Sequence, residues 1–282
     1  MSDLFHAPQF IAFLLNVVRL CAWLLLLAAI FLPLERLWTL RPQKLLRKST
    51  LEDLAYYFIS GIVPNILMAV PLSLAAYAAY AFVPASVHAT VAGWPLWLRA
   101  ASAFVVADLG FYWGHRWAHE FPFLWRFHSI HHSPQHVYFL ISARAHPIDF
   151  VFIHLCGLIP IYILGLGAPQ SVQSSLVPTL IMLLATVWGF FIHANVRWRF
   201  GPLERLIATP GFHHWHHTRS GLRDRNYASM LPCWDWMFGT WHVPKEWPAD
   251  YGIDTKLPDS IVGQMIHPLR DTPEERVPEP AE

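Results

Sequence analysis

Five apolar runs constrain this chain more than any other feature. A helix needs roughly 20 residues to cross about 30 Å of hydrocarbon. Runs of that order cover residues 9–34, 54–83, 96–113, 148–167 and 172–193. Only 14% of the 282 residues are charged, against about 25% in a typical soluble domain. That is too little charge to coat a soluble globule. The expectation is an all-α integral membrane protein with four to five transmembrane or re-entrant helices. Arg19 interrupts the first run and fits either an interface or a polar interior. That run has no basic leader and ends in a basic loop, so it does not read as a cleavable signal. Pro64 and Pro71 predict a kink or two half-helices in the second run. Pro160, Pro169 and Pro178 make a re-entrant hairpin the alternative for the last two.

Loop charge sets the orientation. Arg36, Arg41, Lys44, Arg47 and Lys48 crowd the first loop, whereas residues 84–95 carry no Lys or Arg. The positive-inside rule places the first loop in the cytoplasm. Counting crossings, residues 114–147 and everything after His193 then also face the cytoplasm. A bacterial inner or plasma membrane is the favoured location, because the chain closes at Pro-Ala-Glu without a lysine-rich retrieval signal. The net charge of +1 offers no field for nucleic acid. Three scattered cysteines, Cys21, Cys156 and Cys233, build neither a disulfide framework nor a four-cysteine metal site.

Polar character gathers instead in histidine. Of 17 histidines, 13 lie between His115 and His217. His115 and His119 are four apart. His128, His131 and His132 form a second box, and His213, His216 and His217 a third, with His214 as an extra member. Residues at i, i+3 and i+4 share a helix face, so each box presents its imidazoles together. Neutral imidazole suits iron, zinc, copper or nickel. Eight box histidines exceed the needs of one metal and suggest two. His6, His88, His136, His154 and His267 stand outside the boxes and read as ordinary core or surface polar groups. No cysteine or carboxylate ladder accompanies the boxes, which argues against an iron–sulfur cluster and a carboxylate-bridged bundle site. The His-Glu-x-x-His zinc protease spacing is also missing.

These residues carry a family resemblance. The quoted text is Asp108-Leu-Gly-Phe-Tyr-Trp-Gly-His-Arg-Trp-Ala-His119, Leu124-Trp-Arg-Phe-His-Ser-Ile-His-His-Ser133, Arg144-Ala-His-Pro-Ile-Asp149, His193-Ala-Asn-Val, Thr209-Pro-Gly-Phe-His-His-Trp-His-His217, Asn226-Tyr and Trp234-Asp-Trp-Met-Phe-Gly-Thr240. In this order it resembles the fatty acid hydroxylase/sterol desaturase superfamily of membrane non-haem di-iron enzymes. The resemblance implies a helical membrane core with a cytoplasmic histidine-rich cap and two irons. By motif position it implies ligands at His115, His119, His128, His131, His132, His213, His216 and His217, with His146 and His193 as additional ligands. Asp149 stands where the family has Glu, which leaves that element's role open. His214 falls at a variable position and stays outside the set. The implied domains are membrane helices with a basic loop over 1–100, a fatty acid hydroxylase-like catalytic domain over 101–242, and a Pro-rich charged tail over 243–282. That tail, with seven prolines in its forty residues, reads as draped or disordered.

Other polar residues follow from chemistry. Asp108 sits seven residues before His115 on the same helix face, where hydrogen bonding to a ligand imidazole would orient the ring; a salt bridge to Arg116 or Arg144 is the alternative. Asn195 and Asn226 are expected to do either similar work or surface capping. Asp235 is expected to anchor the end of the cap.

The leading functional expectation is an O2-dependent hydroxylase or desaturase acting on an unactivated C–H bond of a lipid or sterol. Its implied cofactors are two iron ions, with zinc in heterologously expressed protein, and O2 as co-substrate. No dinucleotide fingerprint, haem-attachment motif or iron–sulfur spacing is present. A separate ferredoxin- or cytochrome-type electron donor with its reductase is therefore expected, and Arg219, Arg223 and Arg225 read as either its docking surface or a solvated loop. The alternatives are a zinc-dependent membrane hydrolase with Asp108 or Asp149 as general base, and a metal-binding or transport protein without chemistry.

Overall fold

The computed structural model describes residues 8–167 and 172–270. His6 and Pro169 lie outside the described residues, as does the end of the tail from 271. Ten helices are described: α1 Pro8–Leu37, α2 Lys48–Phe82, α3 Ala85–Ala92, α4 Leu96–Glu120, α5 Pro122–His132, α6 Pro147–Ile163, α7 Val172–His193, α8 Pro210–His216, α9 Cys233–Met237 and α10 Ile261–Ile266. Among the described residues no strand forms; two isolated bridges, Thr39 to Val196 and Thr218 to Tyr251, pin loops together.

Two helices are long and apolar enough to cross a membrane, over Phe10–Leu37 and Lys48–Phe82. Helices α3 and α4 qualify together as a third, bent by 118° at their junction. These two to three candidate spans, together with the shorter apolar helix α6, are what the described residues offer toward the four to five transmembrane or re-entrant helices expected. The run at 148–167 yields only the 17-residue α6, about 25 Å long at 1.5 Å per residue. Helix α7 is 22 residues long and ends at His193. The second run is a single helix despite Pro64 and Pro71.

Helices α4 and α6 pack backbone to backbone. A Cβ on Gly110 would stand 2.2 Å from the Cys156 carbonyl oxygen, and one on Gly157 3.0 Å from that of Ala107. Small residues permit this approach between membrane helices. Gly110→Ala must push the pair apart, and an overpacked contact costs about 1–3 kcal/mol. Thermal unfolding in detergent is expected to show a lower midpoint for this variant; an unchanged midpoint would contradict the packing.

The joints place the histidines. A single extended residue, Phe121, separates α4 from α5, and Pro122 opens α5 at a position where its missing N–H costs nothing. The second box is thereby folded back on the first. Thr209 caps α8, its hydroxyl accepting from Phe212 N, with Pro210 next. Residues 243–270 of the Pro-rich segment lie against the rest of the chain. Tyr251 is buried, and Arg41 donates to the Pro248 carbonyl. From α10, Gln264 accepts from Tyr56 Oη at 2.7 Å and from Arg144 at 3.1 Å.

Candidate metal centre

Nine histidines converge in two buried groups. His115, His119, His128, His132 and His216 form one, and His131, His193, His213 and His217 the other. Within each group, one ring nitrogen per residue lies within 4.8 Å of every other. The helices divide the boxes reciprocally. In the second box the i, i+4 pair His128 and His132 joins the first group, and His131 joins the second. In the third box the pair His213 and His217 joins the second group, and His216 the first. At 3.6 residues per turn, i+4 returns to within about 40° of i, whereas i+3 falls about 60° to the other side. Each box can therefore serve two metals from one helix. His115 and His119 on α4 complete the first group, and His193, the last residue of α7, the second.

The outward ring nitrogens are held by acceptors. Nδ1 of His115 lies 2.7 Å from Tyr227 O, that of His131 3.0 Å from Arg144 O, that of His193 2.6 Å from Gly189 O, and that of His216 2.8 Å from Arg225 O. Carboxylates hold two more: Asp224 Oδ1 is 2.8 Å from His119 Nδ1, and Asp149 Oδ2 is 3.0 Å from His128 Nδ1. A carbonyl only accepts, so Nδ1 carries the hydrogen and Nε2 of a neutral ring is a bare lone pair. His131 and His193 both have this arrangement, and their Nε2 atoms face each other at 3.3 Å. His193 Nε2 is also 2.9 Å from that of His213 and 3.1 Å from that of His217. His216 Nε2 is buried without a hydrogen-bond partner among the described residues. Lone pairs aimed at one another in a dry site repel, and a cation between them removes the conflict. The donor set therefore fits a metal, all-nitrogen in both groups and oriented from behind as metal-ligating imidazoles usually are.

Electrostatics agree. Burial, followed by the neighbouring imidazoles, holds His131, His132, His213 and His217 well below the usual imidazole range. Burial does the same for His216. These rings are neutral at ordinary pH, the form that ligates.

Other expected site residues lie elsewhere. His146 does not join either group. It caps α6, accepting from Ile148 N, and its Nε2 is 3.1 Å from Met265 O. Asp108 does not bond an imidazole; its Oδ2 accepts from Leu231 N at 3.1 Å and Trp234 Nε1 at 2.9 Å. Nor does it pair with Arg116, which bonds Glu120, or Arg144, which bonds Asp53. The Asn195 amide is spent on the loop between α1 and α2, donating to Arg41 O at 2.8 Å and accepting from Arg41 N at 3.1 Å. Asn226 bridges Phe212 O and His242. Asp235 accepts from Tyr227 N, Ala228 N and Thr240 Oγ1, tying the chain behind His115. His214 bonds Tyr251 Oη and Ala194 O, apart from both groups. Arg219 and Arg223 pair with Asp254, and Arg225 donates to Asp224 O.

The orienting role of Asp149 and Asp224 was not read from sequence. Asp224 and Asn226 adopt left-handed backbone, φ 57° and 60°, which Asp and Asn tolerate best among residues with a Cβ. That turn delivers the Asp224 carboxylate and the Arg225 carbonyl to His119 and His216. Removing an orienting partner typically weakens metal binding about 10–100-fold. Asp149→Asn is expected to lose metal to a competing chelator at a correspondingly lower chelator concentration, while Asp259→Asn, on an exposed loop, behaves as wild type.

Comparison with known proteins places this centre. The fatty acid hydroxylase model matches residues 100–240, the span that carries every member of both groups. The ornithine lipid hydroxylase OlsE of Rhizobium tropici is 32% identical over 244 residues, covering 84% of this chain and 70% of that protein. The alkylglycerol monooxygenase of Danio rerio is 35% identical over 161 residues, 57% of this chain and 33% of that protein. A very-long-chain aldehyde decarbonylase of rice, GL1-11, is 26% identical over 64% of this chain and 66% of its own. The chain thus spans only about a third of the alkylglycerol monooxygenase. No solved structure matches it. By the extent of the family match and of the similarity to OlsE, the chain belongs to the fatty acid hydroxylase family.

Proposed function

We propose that this protein is a membrane-embedded di-iron oxidoreductase that uses O2 to hydroxylate a polar membrane lipid. The carrying observation is the pair of nitrogen-only imidazole groups at the end of apolar helices. The family and the named activities of OlsE and the alkylglycerol monooxygenase support the same reading. His115, His119, His128, His132 and His216 would hold one iron, and His131, His193, His213 and His217 the other. Bound iron supplies the oxidation of an unactivated C–H bond with O2, which side chains alone do not perform. The chain's own residues fix the imidazoles from behind, keep them neutral by burial, and close the centre against bulk water. In this reading the centre faces the cytoplasm, where the basic loop of residues 35–50 lies. Electrons come from a separate ferredoxin- or cytochrome-type donor and reductase.

Isotope labelling separates this reading from its rivals. Purified protein in liposomes of host lipid, given a reducing system under 18O2, is expected to yield a hydroxylated lipid carrying one 18O atom. Label arriving from H218O instead would point to the hydrolase. An alkene in place of an alcohol would make the enzyme a desaturase. Comparing the lipids of host cells with and without the gene identifies the substrate.

A further inference from the structure

Among the large apolar side chains that stand in the open outside the long helices, four belong to two neighbouring strips. Leu203 and Leu206 lie on and just after the 3-10 turn Gly201–Arg205, 54% and 67% exposed. Trp236 and Met237 lie on α9, 55% and 67% exposed. The Arg205 guanidinium sits 5.3 Å from the Trp236 ring centre, joining the two strips into one edge. A contiguous apolar edge on a water-facing surface marks an interaction site.

Depth along α4 says what covers it. Asp108 lies seven residues before His115, about 10 Å along the helix, and toward the apolar end of α4. The carboxylate of Asp108 receives Leu231 N and Trp234 Nε1 at 3.1 and 2.9 Å. One turn nearer the histidines, Trp113 meets Phe238 with ring centres 4.9 Å apart. Segment 231–238 therefore runs along the flank of α4, from the level of Asp108 at Leu231 and Trp234 up to Arg116, which donates to the Phe238 carbonyl, beside the stretch that completes the bent third span. The non-helical backbone that leads into α9 needs protein partners for its donors at such depth. Asp108 supplies one for Leu231, and Asp235 supplies those for Tyr227 and Ala228. Trp and Leu facing outward with Arg beside them is the composition of a membrane interface.

We infer that residues 231–238, together with Leu203 and Leu206, form a wedge seated in the lipid leaflet against α4, with Asp108 as the anchor that holds it there. The inference rests on the reading of α1 and α4 as membrane helices. It gives Asp108 a positioning task away from the metals. It also places the apolar edge of the catalytic half at the level from which a lipid would approach.

The test is a depth measurement that does not depend on activity. In a background with Cys21, Cys156 and Cys233 changed to serine, nitroxide labels are attached at Met237→Cys and, separately, at Trp236→Cys. Both side chains are exposed, so neither change removes core packing. The protein is reconstituted in phosphatidylcholine nanodiscs, and collision with lipid-soluble O2 is compared with collision with a water-soluble nickel chelate. Leu25→Cys, on the exposed face of α1, sets the lipid value. Ala249→Cys, beside the exposed Lys245 and Glu246, sets the water value. The expected O2-to-nickel ratio at 236 and 237 is several-fold above that at 249 and closer to that at 25. Ratios closer to 249, with 25 still lipid-accessible, overturn the wedge alone. A water-like ratio at 25 overturns the membrane reading and the wedge with it.

Discussion

His216→Ala and His131→Ala are each expected to lower lipid hydroxylation by more than about 100-fold and to remove metal from one group more than the other. The magnitude follows from what lies behind the ligands: loss of an orienting partner alone costs about 10–100-fold, and loss of the imidazole removes the bond itself. His216 belongs to the five-histidine group and His131 to the four-histidine group. Each variant is expected to fall from about two metals per chain toward one. Helical circular dichroism should stay near wild type, because both positions are fixed by helices whose other contacts remain. His146→Ala is the control. It caps α6 and stands outside both groups. It is expected to retain both metals and to lose about 0.5–2 kcal/mol of stability as a lost cap. Full turnover by either His216→Ala or His131→Ala would refute the metal assignment.

The second large effect is on stability. Arg144 is buried and donates to Asp53 Oδ1 at 2.8 Å, to Gln264 Oε1 at 3.1 Å and to Ile130 O at 3.2 Å. Asp53, equally buried, also accepts from Tyr138 Oη at 2.7 Å. One guanidinium thus binds α2, α5 and α10, and its own carbonyl orients His131. Arg144→Met leaves the Asp53 carboxylate buried without its cation, a change that costs about 3–5 kcal/mol. Chemical unfolding in detergent should show a loss of that order. Pairing it with Asp53→Leu should recover most of it, since well-packed apolar replacement of both partners is often neutral. A loss under about 1 kcal/mol for the single variant would mean that the pair is solvated. The metal content of Arg144→Met should also fall, because Arg144 O loses its fixed place behind His131.

The histidine boxes were legible because their chemistry is written at helical spacing, which survives without knowledge of the fold. Their division between two metals was not. It depends on how α5 and α8 are rotated against each other, and that is set by Phe121, Pro122 and the Thr209 cap acting together. Asp149 and Asp224 were also invisible as partners, because 21 and 105 residues separate them from the rings they hold. Proximity to His115 made Asp108 attractive, yet α4 turns it toward the 230s segment. Hydropathy found every long apolar segment, including the 17-residue α6, whose length alone does not decide between a crossing and a re-entrant helix. Composition gave residues 243–270 as a Pro-rich segment but not their contacts, such as the Gln264 amide oxygen that accepts from Tyr56 and Arg144.

The proposed function stands or falls on nine named histidines holding two irons for oxygen chemistry. Elemental analysis of protein purified without oxygen, combined with O2 consumption on host lipid, decides it. About two iron atoms per chain are expected, with O2 uptake matched to lipid hydroxylation. Zinc that persists through purification, with activity that survives iron chelation, would overturn the proposal.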